Sequence, residues 1–455
     1  MIPTSLKDIP SIDNVLKELD GRIDIHEDYL KLIIIKEVDI LRYKIKQKEL
    51  YLTKKELLYS IIKSIKKKSK YSLSNLINGT GIVLHTGLGR APFNSYMLRN
   101  VADRLEGYSN LEFDLFNGQR GDRQDHIKDY LSAICGSESG IVVNNNAGAV
   151  MLVINEIARG GEVICSRGQL VEIGGSFRIP DIINKSGGIL KEVGTTNRTH
   201  LEDYEHAINP NTKLILQVHT SNYVVKGYTK SVELSKLIKL GKKYKIPVIS
   251  DWGSGSFLNM RKYILSKELP IKKIIKEGPD LITFSGDKLI GGPQSGLIVG
   301  KRKWIKAIKS NTLYRTLRCN KVTIALLEEV LRTYKSKTFK KDNLSLTLLT
   351  STQKEIKERA RYILDLINHK QIQKYNIKLI KSEVEAGSGS LPEKKIKSMA
   401  FKFEPINITA EELACKFRLA SFPVVGYISK NIFYIDLKAV IPTQISQLVK
   451  TINKL

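Results

Sequence analysis

The sequence predicts an α/β protein: a mainly parallel sheet with helices on both faces, preceded by a helical block and followed by a small α+β block. Three observations carry this. Short apolar runs alternate with glycine loops and helical segments through the middle of the chain, the pattern of strands buried on both faces. Residues 1–72 contain one glycine, Gly21, and read as helix. The last hundred or so residues mix strand-like and helical runs in a smaller unit. A chain of 455 residues exceeds the ~250–300 at which a single core stops growing, so several domains are expected.

The boundaries are placed at 1–72, 73–338 and 339–455. In the first block Leu30, Ile33, Ile34 and Val38 recur at helical spacing and form one apolar stripe. In the second, Gly140–Val143, Lys213–Val218, Pro247–Ser250 and Asp280–Phe284 are short enough for strands and too apolar for solvent. In the third, Ser398–Phe403 and Ile432–Leu437 read as strands around a helix.

The formal charge is +28. Residues 1–40 carry a net −4 and residues 41–70 a net +9, with Lys63, Lys66, Lys67, Lys68 and Lys70 close together. Such a switch within one small block suggests a surface directed at a polyanion, although a solvated helix face in a lysine-rich chain has the same composition. No apolar run approaches 18 residues and no basic-then-apolar leader opens the chain, so a soluble cytoplasmic protein without a membrane partner is expected. Cys135, Cys165, Cys319 and Cys415 are scattered; they read as reduced thiols, with neither a disulfide framework nor a metal site.

The densest chemistry lies in Ser285-Gly286-Asp287-Lys288-Leu289-Ile290-Gly291-Gly292. A lysine among small residues, three positions after a serine, is how enzymes of the aminotransferase-like class hold pyridoxal phosphate. The lysine amine condenses with the cofactor aldehyde, which needs a neutral and partly desolvated amine, while Ser285 is placed for the cofactor phosphate. A turn lysine in a glycine-rich loop would look the same in isolation, so the rest of the constellation decides. Asp251 ends a strand, where it could pair with the pyridine nitrogen or cap a helix. Asn146, Ala147 and Gly148 open a helix after a strand, a junction whose free N–H groups suit a phosphate. His219 and Asn222 follow another strand and could contact the cofactor ring or its 3-oxygen. Arg90 closes the Leu84–Arg90 loop, and Arg315 and Arg318, one helical turn apart and so on a shared face, could clamp an oxyanion.

Together these segments resemble bacterial selenocysteine synthases, the L-seryl-tRNA(Sec) selenium transferases. The resemblance runs from Ile9-Pro10-Ser11-Ile12-Asp13 through Ile77-Asn78-Gly79-Thr80-Gly81, His85-Thr86-Gly87-Leu88-Gly89-Arg90, Glu192-Val193-Gly194-Thr195-Thr196-Asn197-Arg198-Thr199, Asp251-Trp252-Gly253-Ser254-Gly255 and Ser285-Gly286-Asp287-Lys288 to Gly389-Ser390-Leu391-Pro392. It implies a fold-type I, aspartate-aminotransferase-like catalytic domain with pyridoxal phosphate on Lys288. Asp287 is then the carboxylate that assists elimination, Arg90, Arg315 and Arg318 bind the selenium donor's anion, and Thr195 and Thr196 are pocket residues. It further implies an N-terminal domain that grips the selenocysteine tRNA charged with serine, selenophosphate as donor, a dehydroalanyl intermediate, and assembly into a large ring, a homodecamer in the family's pattern.

The chain departs from that pattern at Gly87, Gly148, Gln217, Tyr427 and Lys438, where the family often has Asn, Ala, Lys, Arg and Arg. None of these departures removes a residue assigned to chemistry. A related lyase acting on a small phosphorylated amino acid or amino sugar acid shares the catalytic core, but residues 1–72 and the Arg315/Arg318 pair argue against it. A non-catalytic tRNA-binding protein on this fold would have lost Lys288.

Overall fold

The structure is a computed structural model and describes residues 4–19, 23, 25–47, 49–173, 177–220, 223, 225–264, 268–334, 338–387 and 390–455. Asn222 and Gly389, both singled out above, lie outside the described residues. The chain divides into two compact units, Met1–Leu76 and Ile77–Leu455. The boundary expected at 72/73 thus lies a few residues before the end of the first unit, and that expected at 338/339 lies inside the second.

The first unit consists of helices α1 (Ile12–Leu19), α2 (Glu27–Lys46) and α3 (Lys54–Lys68). The apolar stripe of α2, including Leu30, Ile33, Ile34 and Val38, is buried against Val15 and Leu19 of α1 and Leu57, Ile61 and Ile65 of α3. Thr53 starts α3 through a capping box: its hydroxyl accepts from the Glu56 N–H, and the Glu56 carboxylate accepts from the Thr53 N–H. The opposite face of α3 is basic, with Lys63, Lys66, Lys67 and Lys68 exposed, although Lys68 also pairs with Glu37 of α2.

The second unit is built on a seven-stranded sheet. Its strands are β1 (Ser139–Val143), β2 (Glu162–Ser166), β3 (Ile189–Val193), β4 (Thr212–Val218), β5 (Val248–Asp251), β6 (Leu281–Ser285) and β7 (Gly296–Gly300), in the spatial order β1-β7-β6-β5-β4-β2-β3. The pairs β2–β3, β2–β4, β4–β5 and β5–β6 are parallel, while β7 runs antiparallel to β6 and β1. Alternate residues enter different cores, as a period of two requires. Val142, Ile164, Ile215, Val248 and Ile282 face one side, and Ile141, Val163, Leu214, Ile249 and Leu281 the other. Helices therefore cover both faces, as expected from the apolar runs, and the carboxyl ends of β1, β4, β5 and β6 open at one edge.

A second sheet, ordered β8-β9-β11-β10, is antiparallel: β8 (Lys378–Gly387), β9 (Ser390–Phe403), β10 (Tyr427–Ser429) and β11 (Ile432–Asp436). Phe401, Phe403, Phe433 and Ile435 lie in its core with Leu413 and Phe417. The chain segment at Ile77–Asn78 pairs in parallel with Val424–Val425, and the Asp436 N–H donates to the Gly79 carbonyl. The start of the second unit is thereby woven into its end.

Candidate active site

At the carboxyl edge of the large sheet, β1 passes into helix α4 (Asn146–Ala158). The Asn145 side chain accepts from the Gly148 N–H at 2.8 Å and caps the helix. The first helical N–H groups, those of Asn146 and Ala147, are the ones a helix leaves without internal partners. Gly296 makes room for this turn, since a Cβ there would come within 2.1 Å of the Asn145 carbonyl oxygen.

These residues border a cavity of about 580 Å³ that also receives Lys288, Asp287, Ser285, Asp251 and Arg90. Asp251, 3% exposed, accepts through one oxygen, Oδ1, from the Asn146 amide at 2.9 Å and the Thr283 hydroxyl at 2.8 Å. Burial raises its pKa above the usual carboxylate range, opposed by those two hydrogen bonds. Lys288 is 4% exposed; burial, and then the neighbouring Arg90 cation, push its pKa below that of an ordinary lysine. Arg90 Nη1 donates to Asp287 Oδ2 at 2.8 Å.

The donor set fits pyridoxal phosphate. An enclosed amine whose charged form is disfavoured suits an aldehyde, and a helix N-terminus beside Ser285 suits a phosphate. A buried carboxylate with neutral partners on one oxygen suits a protonated ring nitrogen. The Asn146 side-chain oxygen is also enclosed without a partner, as expected of a wall that faces a polar guest.

Other expected residues fall elsewhere. His219 and Thr196 line a separate polar cavity of about 330 Å³, and the His219 ring stacks on Trp252 at 4.0 Å. Thr195 is exposed and bonds within its own turn, its hydroxyl donating to the Arg198 carbonyl. The expectation of one helical face for Arg315 and Arg318 is corrected. Helix α5 (Thr312–Thr316) ends before Arg318, because the Leu317 carbonyl accepts from the Asn144 N–H beside the α4 cap. Arg315 is exposed in the last turn, whereas Arg318 pairs with Glu112, which also takes Arg120 and Arg123. Gly148 faces Leu317, where a Cβ would sit 3.0 Å from Leu317 Cδ2.

Sequence reasoning missed Phe177, Gln294 and Ser295, which line the Lys288 cavity, and Glu268, whose carboxylate is bonded to the turn after Asp251. Phe177 closes the Gly174-Gly175-Ser176-Phe177 run, and Gln294 and Ser295 follow the lysine loop closely, so proximity to motifs was the available signal. Glu268 had none.

A family model described as L-seryl-tRNA selenium transferase matches residues 76–441. An L-seryl-tRNA(Sec) selenium transferase from Nitratidesulfovibrio vulgaris is 41% identical over 440 residues, 94% of each chain. One from Aquifex aeolicus is 40% identical over 454 residues, 99% of this chain and 98% of its own. Among solved structures, a D-glucosaminate-6-phosphate ammonia-lyase aligns with a TM-score of 0.59 at 18% identity, over 84% of this chain and 95% of its own, a likeness of fold alone. The second unit has the fold-type I, aspartate-aminotransferase-like architecture, and with matches of this length and identity the chain belongs to the L-seryl-tRNA selenium transferase family of enzymes.

Proposed function

We propose that the protein converts L-seryl-tRNA(Sec) to L-selenocysteinyl-tRNA(Sec) with pyridoxal phosphate as cofactor and selenophosphate as selenium donor. The observation that carries this is the joint enclosure of Lys288, Asp251, Asp287 and Arg90 in one cavity at the α4 N-terminus, in a chain whose relatives bear that activity in their names.

Lys288 would bind the cofactor aldehyde, Asp251 the ring nitrogen, and Ser285 with the Asn146 and Ala147 N–H groups the phosphate. The cofactor supplies a sink for the negative charge that develops at the seryl α-carbon. Lys288, whose burial and Arg90 neighbour disfavour the charged amine, would take the α-proton at Nζ. Asp287, beside it, is placed to handle the proton that departs with the β-hydroxyl, and Arg90 keeps its carboxylate oriented. Arg90 also offers the cavity's anion-binding cation for selenophosphate. Arg315 and Arg318 are proposed as further donor contacts and Thr195 and Thr196 as pocket residues on resemblance to the family, and His219 and Asn222 as ring contacts from their position after a strand.

Residues 1–76 are proposed to hold the tRNA. The exposed lysines of α3, with Tyr43, Tyr51 and Tyr59 exposed near them in sequence, combine phosphate-binding charge with aromatic surface. Among the described residues no helix is long and apolar enough to cross a membrane, which supports work in the cytoplasm, where charged tRNA is available. Assembly of copies into a ring follows the family's pattern. The test is direct: purified protein with seryl-tRNA(Sec) and selenophosphate should yield selenocysteinyl-tRNA by mass spectrometry, and a chain that leaves the seryl group untouched refutes the reading.

A further inference from the structure

Glu268 belongs to none of the motifs that mark the cavity, yet its side chain is only 3% exposed. A buried carboxylate is costly unless its neighbours compensate it. Its Oε2 accepts the indole N–H of Trp252 at 2.9 Å, and its Oε1 accepts the Ser254 hydroxyl at 2.8 Å. Both donors lie in the turn that follows Asp251. The same Oε1 stands 4.0 Å from Nδ1 of His219, and that imidazole lies flat on Trp252, with 4.0 Å between ring centres and 14° between planes. Nδ1 is shut off from solvent and has no hydrogen-bond partner. The charged groups acting on the ring are Glu268, from the segment before the helix Ile271–Glu277, and Asp251, from β5.

One carboxylate therefore joins two walls. Through Trp252 and Ser254 it holds the turn that carries Asp251 and Gly253 into the Lys288 cavity, and beside it stands the histidine of the polar cavity. An imidazole next to a carboxylate keeps its proton on the nitrogen that faces the charge, which leaves the other nitrogen as an acceptor.

We propose that Glu268 is a positioning residue of the active site: it fixes the turn after Asp251 and holds His219 stacked on Trp252 with the ring proton on Nδ1, so that Nε2 serves as a hydrogen-bond acceptor. The assignment rests on the pyridoxal-phosphate reading only in calling this an active site; the stack can be tested without cofactor.

The chain has two tryptophans, Trp252 and Trp304, so Trp304→Phe leaves Trp252 as the only indole emitter. A protonated imidazole quenches an indole it stacks on, and Trp252 emission against pH then titrates His219 in the full chain, with or without pyridoxal phosphate. Emission should rise with pH through a midpoint below the ordinary histidine range, because burial disfavours the charged ring despite Glu268 and Asp251. Glu268→Gln retains a hydrogen-bonding group for both Trp252 and Ser254 but removes the charge, and should lower the midpoint by about one pH unit. Glu268→Asp, which keeps the charge, should fall between the two, Ser254→Ala should leave the midpoint in place, and His219→Gln should abolish the titration. A midpoint unmoved by Glu268→Gln, or emission in the Trp304→Phe chain that ignores pH, overturns the proposal. Failure of Lys288 to take up pyridoxal phosphate would refute the functional reading instead, and would leave this result intact.

Discussion

Arg90 Nη1 meets Asp287 Oδ2 at 2.8 Å, so the cation that faces the cavity is already engaged by the residue next to Lys288. Neither side chain is open to much water, at 29% and 11% exposure. Arg90 makes the contact from left-handed backbone, φ 58°, in a turn where the His85 carbonyl accepts from the N–H groups of both Leu88 and Arg90. A side-chain-bearing residue in that region costs on the order of 1 kcal/mol. The turn and the ion pair together hold it there.

An incoming anion must compete with Asp287 for Arg90. Asp287→Asn removes the competing charge and should tighten binding of inorganic phosphate about tenfold, or about 1.4 kcal/mol. Arg90→Ala should abolish the binding in the same calorimetric titration. Equal affinities in Asp287→Asn and the unchanged chain would mean that the anion does not use Arg90.

Lys288 leads to a prediction in pH. Burial, followed by the Arg90 cation, lowers its pKa, so the neutral amine is present at lower pH than for an ordinary lysine. Borohydride reduction in the presence of pyridoxal phosphate should tag the Lys288 peptide by mass spectrometry, and Lys288→Ala should leave that peptide untagged. The tagging rate should rise with pH through a midpoint below the usual lysine range. Arg90→Ala removes a cation, raises the amine's pKa and moves that midpoint upward. A midpoint unchanged by Arg90→Ala would show that the cation does not act on the amine.

How much of this was legible in the sequence depends on how local each cause is. The strands at 139–143, 212–218, 248–251 and 281–285 announce themselves because burial on both faces demands an uninterrupted apolar run. Lys288, Asp251 and Asn146 could be placed together because parallel strands deliver their carboxyl ends to one edge. The strand at 296–300 carries the same kind of apolar run, Leu297-Ile298-Val299, but its antiparallel direction, set by its neighbours, has no signal in the sequence. The Arg315–Arg318 spacing misled for a tertiary reason: the Asn144 N–H takes the Leu317 carbonyl, and the helix stops. Glu268 was invisible because its partners, Trp252, Ser254 and His219, meet it only through the fold.

A buried lysine just past the strand Ile432–Asp436 of the smaller sheet should govern alkaline stability. Lys438 donates to the Ser351 carbonyl at 2.7 Å, and its N–H donates to Asp436. Burial pushes its pKa from 10.5 down to about 8. Between those values the unfolded chain binds a proton that the folded chain does not, so this residue makes stability rise with pH across that window. Below pH 8 both states are protonated and its contribution is flat. Thermal unfolding of Lys438→Met, compared with the unchanged chain at pH 8 and pH 10, should lack that rise; parallel profiles would remove Lys438 as its source.

The first compact unit offers the sharpest separation of roles. Every residue proposed to hold the cofactor lies beyond Leu76, where that unit ends, and Ile77 begins the strand that pairs with Val424. A chain that starts at Ile77 should therefore still be tagged at Lys288 by pyridoxal phosphate and borohydride, yet lose turnover of seryl-tRNA(Sec). The full chain with Lys63, Lys66 and Lys67 changed to Glu tests the surface without deleting it. None of the three supports the core of the unit, which is made by Leu57, Ile61 and Ile65 on the other side of α3. Lysines that pair with phosphates release counterions, so affinity for tRNA should fall steeply with salt in the unchanged chain. Removing one lysine–phosphate pairing should reduce the slope of log affinity against log salt by about 0.7–0.9. Because the deep, narrow major groove of A-form RNA hides base edges from side chains, the loss of affinity should be similar for tRNAs of the same shape and different sequence. If the triple variant keeps both the affinity and the salt slope of the unchanged chain, the basic face of α3 is solvated surface, and tRNA must be held by other residues.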